Sequence, residues 1–350
     1  MKATVKKYTL KFKIPSGTSR GILTKKDTWF LILEKNGKYG IGECGMFEGL
    51  SFDDVPEYGQ KLKWVCDNID KGKEQLWDDL KSFPSIQFGL EQAFLSLLSN
   101  NPFELFPSDF TRNKAKIPIN GLIWMGDEGF MMEQIQQKLE EGFKCIKMKI
   151  GAINFQTEIS LLQSIRKKYT MNEIELRIDA NGAFKPEEAL EKLTILSNFD
   201  IHSIEQPIKQ GNVQLMKELC IESPLPIALD EELIGIFDVT KKKELLQTIQ
   251  PQFIILKPSL VGGFKGSEEW ITIAEDLGIG WWITSALESN IGLNAIAQWT
   301  FKLKNTMPQG LGTGGLFTNN FECTLVVEKG YIYIDKNKNW KSNLIRDLCI

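Results

Sequence analysis

Six polar residues recur at one spacing. Lys149, Asp179, Glu205, Asp230, Lys257 and Ser285 lie 30, 26, 25, 27 and 28 positions apart. They sit in or just after short apolar runs: CIKMKI, LRIDANG, HSIEQP, IALDEE, IILKPS and ITSALES. An interval of that length is one strand, one helix and their loops, so each residue returns to the same end of a sheet. Three of the six are carboxylates. Three unpaired anions at one rim repel each other and are costly to desolvate. A hard divalent cation such as Mg²⁺ resolves the conflict and keeps open positions for water or a substrate oxygen. The structural alternative is that each carboxylate simply pairs with a lysine or arginine across the sheet.

The lysines narrow the chemistry to proton abstraction beside a carboxylate. A carboxylate held by such a cation has an acidified α-carbon. Lys149 and Lys257 come from strands roughly opposite each other, so an ammonium or amine stands on either face of a bound substrate. A desolvated lysine beside a second ammonium titrates lower, as a base working near neutrality requires. Lys147 shares a strand face with Lys149 and is expected to supply that ammonium. Arg177 is in phase with Asp179 but deeper, and is expected to support the site with Asn181 and Glu231. Two other features have structural readings. His202, the single histidine, falls out of phase with Glu205 and is expected outside the barrel. Glu288 either supports the site or caps the helix beginning near Asn290.

These residues need elements to hold them. CIKMKI alternates strictly, so its lysines share one face while Ile146, Met148 and Ile150 take the other. From about 115 the chain alternates short strands with amphipathic helices. Strands are expected at 115–119, 145–150, 175–179, 200–205, 226–230, 252–257, 280–284 and 307–311. Helical patterns lie between them, at 128–141, 154–169, 186–198, 211–221, 267–277 and 290–301. Eight such units fit a (β/α)₈-type, TIM-like barrel of the α/β class. Residues 1–112 read as an α+β capping unit. It has strands at 2–13, 27–34 and 38–44, a hairpin turn at NGKYG, and helices near 54–70 and 84–99. The expected division is therefore 1–112 cap, 113–315 barrel, and a 316–350 tail whose strands return to the cap.

Bulk properties exclude other classes. The 350-residue chain is 42% apolar with a net charge of −3, which argues against a nucleic-acid partner. No run of eighteen apolar residues suggests a membrane span. The N-terminus alternates like a strand and carries no signal-peptide pattern, so a cytoplasmic protein is expected. None of the six cysteines falls in a metal spacing, so reduced, mostly buried thiols are expected. The expected partner is a small-molecule carboxylate.

KMK, DANG, IEQP, LDEE and LKPS, in this order, resemble the enolase superfamily and its muconate-lactonizing-enzyme-like subgroup. The resemblance covers nearly the whole chain. It implies that Asp179, Glu205 and Asp230 hold Mg²⁺, that Lys149 is the acid/base, and that Lys257 faces the other side of the substrate. SRGILTKKD and GECGMFEGLS are similar to the subgroup's two capping loops, which brings Arg20 to the substrate. TSALESNIGLNAIAQ and GLGTGGLF are similar to its seventh- and eighth-strand segments in the menaquinone-pathway dehydratases. The implied reaction is a syn dehydration that aromatises a succinyl-hydroxycyclohexadiene-carboxylate. Backbone N–H groups from Gly310 to Gly314, among them Gly312 and Thr313, with Ser285, would then meet a substrate carboxylate or carbonyl. A racemase of N-acylamino acids also needs a lysine on each face. Dipeptide epimerases of the subgroup carry an aspartate pair at the eighth strand, where this chain reads GTG. A non-catalytic barrel would not demand the full set of lysines and carboxylates.

Overall fold

The structure, a computed structural model, describes residues 1–18 and 21–349. The chain opens on an antiparallel sheet of β1 (Lys2–Thr18), β2 (Gly21–Lys35) and β3 (Lys38–Cys44), in that order. Asn36 and Gly37 join β2 to β3 with φ of 52° and 76°, the two positive values a tight type I′ hairpin requires. Three helices follow: α1 (Tyr58–Asp67), α2 (Lys73–Asp79) and α3 (Pro84–Leu98). Pro84 starts α3, where its missing N–H costs nothing. This helix is buried along most of its length, because β2 and β3 pack against it and so do residues 258–276 far along the chain.

The first strand expected in the barrel splits in two. β4 (Ile117–Pro118) pairs antiparallel with a strand of the tail, and the barrel strand is β5 (Gly121–Ile123). Pro118 cannot donate to a ladder, and it lies on the edge of its sheet. The alternation then runs α4 (Glu128–Glu140), β6 (Cys145–Lys149), α5 (Phe155–Lys168), β7 (Glu175–Asp179), α6 (Pro186–Leu196) and β8 (Ser203–Glu205). It continues with α7 (Val213–Glu222), β9 (Ile227–Leu229), α8 (Val239–Ile249), β10 (Phe253–Leu256), α9 (Pro258–Val261), α10 (Gly263–Asp276), β11 (Gly280–Ile283) and α11 (Asn290–Lys302). Strands β5 to β11 form one parallel sheet in sequential order.

The expected strand at 307–311 is reduced to two single bridges. Gln309 pairs with Ile119 beside β5, and Gly310 pairs with Thr284 after β11, both parallel. Gln309 N donates to Pro118 O at 2.8 Å and Gly310 N to Ile283 O at 2.8 Å, so these two residues link both edges of the sheet. Pro308, just before them, cannot extend the ladder. The tail's strands β12 (Leu325–Glu328) and β13 (Tyr331–Ile334) pair with each other and with β4, while Leu344, Ile345 and Leu348 near the end of the tail are buried in one cluster with Phe30, Ile32 and Ile41 of the cap. The tail also reaches the N-terminal sheet through Asn319, which bonds Lys11 N and Thr9 O at 2.8 Å each. It ends in α12 (Leu344–Cys349).

Packing explains the alternation. Ile146, Met148, Ile178, Ile204, Leu229 and Leu256 are buried in one cluster with helix residues such as Leu162, Leu193, Leu219 and Leu246. A parallel sheet covered by helices needs that outward apolar face. A smaller cluster of Ala228, Ile255 and Trp282 is separate from it. Cys44, Cys66, Cys145, Cys220 and Cys323 are free thiols. No helix among the described residues is long and apolar enough to cross a membrane.

Candidate active site

The inward residues at the strand ends meet as three ammonium groups and three carboxylates. Lys147 Nζ donates to Glu205 Oε2 and lies 2.9 Å from Asp179 Oδ2. Lys149 Nζ donates to Asp179 Oδ2 at 3.0 Å and to Asn181 Oδ1 at 2.6 Å. Lys257 Nζ donates to Asp230 Oδ2 and lies 3.7 Å from Glu205 Oε1. Strand register explains the contacts: Lys147 pairs with Arg177, Lys149 with Asp179, and Asp179 with Glu205. All three carboxylates are almost fully buried.

Burial and charge pull these groups in different directions. Burial, and then the Asp179 charge, pushes the Glu205 carboxyl up to about 8, against the pull of Lys147. Burial acts upward on Asp179 too, but Lys147, Lys149 and Lys257 outweigh it and hold that carboxyl well below the usual range. Asp230 is likewise lowered, because Lys257 outweighs burial. Burial works against the Lys147 ammonium, but Asp179 and Glu205 overcome it and raise its titration. Lys257 is raised in the same way, chiefly by Asp230. Lys147, expected to turn its charge on Lys149, has that charge met by the carboxylates of Asp179 and Glu205.

The donor set suits a hard cation. Among the described residues no three carboxylate, thiol or imidazole groups converge as a ready cage, since ammonium groups stand between the carboxylates. Yet Glu205 Oε1 is buried and accepts no hydrogen bond, which is unusual for a carboxylate oxygen. Oxygen-only ligands from Asp179, Glu205 and Asp230 match what Mg²⁺ prefers.

Above the charges lies a cavity of about 410 Å³. Lys147, Lys149, Asp179, Asn181 and Lys257 line it on one side, and Asn120, Ser285, Gly310, Gly312 and Thr313 on another. Apolar walls come from Phe47, Leu50, Leu122, Leu287 and Leu316. Ser285 Oγ accepts from Leu287 N at 3.0 Å and shares a 2.8 Å hydrogen bond with Thr313 Oγ1, so one hydroxyl hydrogen of the pair is left to point elsewhere. The Gly310 N–H is engaged with Ile283 O, so it is not available to a substrate as expected.

Asn181 holds the rim together: at φ 44° its N–H donates to Asp179 Oδ1 at 3.0 Å and its Nδ2 to Glu231 Oε1 at 3.0 Å. Arg177 does not line the cavity. It donates to Glu175 at 2.7 Å and Pro308 O at 2.9 Å, and stacks on Trp282. His202 packs against Phe253 and Trp282, on the inner cluster rather than outside the barrel, because the chain enters β8 only at Ser203. Glu288 does not cap α11; Ser289 does, and Glu288 accepts from Ser259 Oγ. Arg20 lies outside the described residues. Two residues were missed. Gln206 ties the ends of β8 and β9, accepting from Asp230 N at 3.3 Å and Glu232 N at 3.2 Å. Asn120 is buried beside Gly310, and its position 29 residues before Lys149 was a usable signal.

Residues 131–338 match the family model described as "Enolase C-terminal domain-like". The o-succinylbenzoate synthase of Desulfotalea psychrophila is 46% identical over 95% of this chain and 98% of its own. The chain belongs to the o-succinylbenzoate synthase family of the enolase superfamily. The crystal structure of MenC from Desulfotalea psychrophila LSv54 matches with a TM-score of 0.85 at 43% identity, covering 95% of this chain and 99% of that one. A dipeptide epimerase from Cytophaga hutchinsonii, complexed with Mg and D-Ala-L-Val, matches with a TM-score of 0.83. At 20% identity over 99% of this chain and 97% of that one, it shares the superfamily's fold. The cap over a parallel sheet is thus the architecture of this synthase family.

Proposed function

We propose that the chain is a cytoplasmic o-succinylbenzoate synthase of menaquinone biosynthesis. It dehydrates 2-succinyl-6-hydroxy-2,4-cyclohexadiene-1-carboxylate to o-succinylbenzoate with Mg²⁺. The supporting observation is the near-full-length identity to the Desulfotalea psychrophila synthase. Asp179, Glu205 and Asp230 would hold Mg²⁺, which supplies positive charge to the substrate carboxylate as its α-proton leaves. Lys149, with its ammonium on Asp179 and Asn181, stands at the rim. As the amine it takes the α-proton, then returns that proton to the departing hydroxyl on the same face, releasing water. Lys257, kept charged by Asp230 and Glu205, stabilises the developing negative charge from the other face. Asn181 and Glu231 hold Lys149 and Asp179 in register. Aromatisation drives the second half of the reaction, so the protein need only hold and polarise.

The reading is tested by incubating the purified protein, Mg²⁺ and the cyclohexadiene substrate, and identifying the product by NMR. Stoichiometric o-succinylbenzoate is expected. No product, with α-proton exchange of an N-succinylamino acid in D₂O, would replace the dehydratase with a racemase.

A further inference from the structure

Lys26 on β2 is a buried lysine that the proton transfer does not use. It is 7% exposed, and a lysine is rarely so buried without a partner. Burial lowers its titration, and the charges of Glu288 and then Glu43 pull it back up. The two carboxylates differ in how well they are met. Glu43, on the cap, accepts from Thr28 Oγ1, Ser289 N and Gly292 N at 2.9 Å each. Glu288, on the barrel, accepts from Ser259 Oγ at Oε1, while among the described residues its buried Oε2 accepts nothing. A carboxylate left that way depends on a positive charge nearby, and Lys26 supplies one from the cap.

The same ammonium meets the cap loop that follows β3. Its Nζ lies 3.5 Å from Gly45 O and 5.9 Å from the centre of the Phe47 ring. Gly45 is pressed onto the barrel: a Cβ there would lie 3.2 Å from Ser259 Oγ and 3.3 Å from Glu288 Cγ. Both barrel residues adjoin the site, since Ser259 follows Lys257 by two positions and Glu288 follows the cavity-lining Leu287. Phe47 and Leu50, on the same cap loop, wall the cavity. We propose that Lys26 is a positioning residue. Its ammonium, held between Glu43 of the cap and Glu288 of the barrel, seats the loop from Gly45 to Leu50 so that Phe47 and Leu50 close over the substrate. The identity of that substrate rests on the o-succinylbenzoate reading.

Calorimetry tests it, with o-succinylbenzoate titrated into the Mg²⁺-loaded protein and Mg²⁺ titrated separately into the metal-free protein. Lys26→Met is expected to bind o-succinylbenzoate about tenfold more weakly, and Mg²⁺ within about twofold of wild type, because the metal ligands stand on the sheet. Its KM should rise more than its kcat falls. Its Tm should drop, since Glu288 loses its counter-charge. Adding Glu288→Gln removes that stranded charge, so the double variant should regain Tm without regaining affinity. A purely structural role predicts that affinity returns with Tm. Unchanged o-succinylbenzoate affinity in folded Lys26→Met, an equal loss of Mg²⁺ affinity, or affinity restored in the double variant overturns the proposal. If Lys26→Met does not fold, the double variant is read by the same criteria. Failure of the wild type itself to bind o-succinylbenzoate overturns the underlying reading, whereas wild-type binding that Lys26→Met leaves intact overturns the role of Lys26 alone.

Discussion

Asp179 Oδ2 lies 2.9 Å from the Lys147 ammonium and 3.0 Å from that of Lys149. Such a buried cluster is stable only while its charges balance, because removing one partner leaves a desolvated charge behind. Lys147→Met is therefore expected to lower unfolding stability by about 3 kcal/mol. Urea denaturation checks this, and an unchanged midpoint would mean that Lys149 and Lys257 already compensate both Asp179 and Glu205. The carboxylates and lysines were legible in the sequence because strand alternation and the strand–helix interval fix both face and end. The pairing of Lys147 was not legible. It depends on the reach of a flexible side chain toward Glu205 on a strand 58 positions away. Asn120 escaped because Pro118 ends its own strand early, so the barrel strand begins one residue after Asn120.

Two cap carboxylates hold the starts of two barrel helices. Glu43 on β3 accepts from Ser289 N and Gly292 N, each at 2.9 Å, at the beginning of α11. Glu91 on α3 accepts from Phe264 N at 2.5 Å and Lys265 N at 3.1 Å, at the beginning of α10. An anion at a helix N-terminus meets free N–H groups and the positive end of the dipole. Gly263 makes the second contact possible. Its φ is +74°, and a Cβ there would lie 2.2 Å from Glu91 Oε2. Gly263→Ala should cost about 1–3 kcal/mol in urea unfolding; a neutral result would show that α10 shifts freely. Burial pushes the Glu91 carboxyl from its ordinary 4.5 up to about 8 despite those N–H groups. Between those values the folded protein holds a proton that the unfolded chain has lost, so this contribution to stability falls as pH rises. The Tm of the wild type should drop from pH 5 to pH 8, and Glu91→Gln should flatten that drop. An equally steep profile in the variant would assign the slope to other buried acids. No sequence pattern revealed either contact, since the residues lie 173 positions apart for Glu91 and 246 for Glu43.

Across the whole molecule, the sheet reads in order from β5 to β11, with Gln309 and Gly310 spanning the remaining gap. The barrel class was legible because each unit repeats one pattern of apolar strand and amphipathic helix. The two uncertain edges were those where proline, at 118 and 308, interrupts the ladder. The tail's pairing with β4 was not legible, because short alternating strands pair equally well with any open edge. The cap and the sheet together enclose the cavity, with Phe47 and Leu50 from the cap facing Lys149 and Lys257 from the sheet. Lys149 is the residue proposed to move the proton in this cavity. The most direct measurement follows the loss of the cyclohexadiene ultraviolet absorbance under saturating Mg²⁺ for wild type and Lys149→Ala, with circular dichroism confirming that both are folded. Turnover by the wild type and a fall of about 10³-fold or more in the variant is the predicted result. Substantial turnover by folded Lys149→Ala would contradict it.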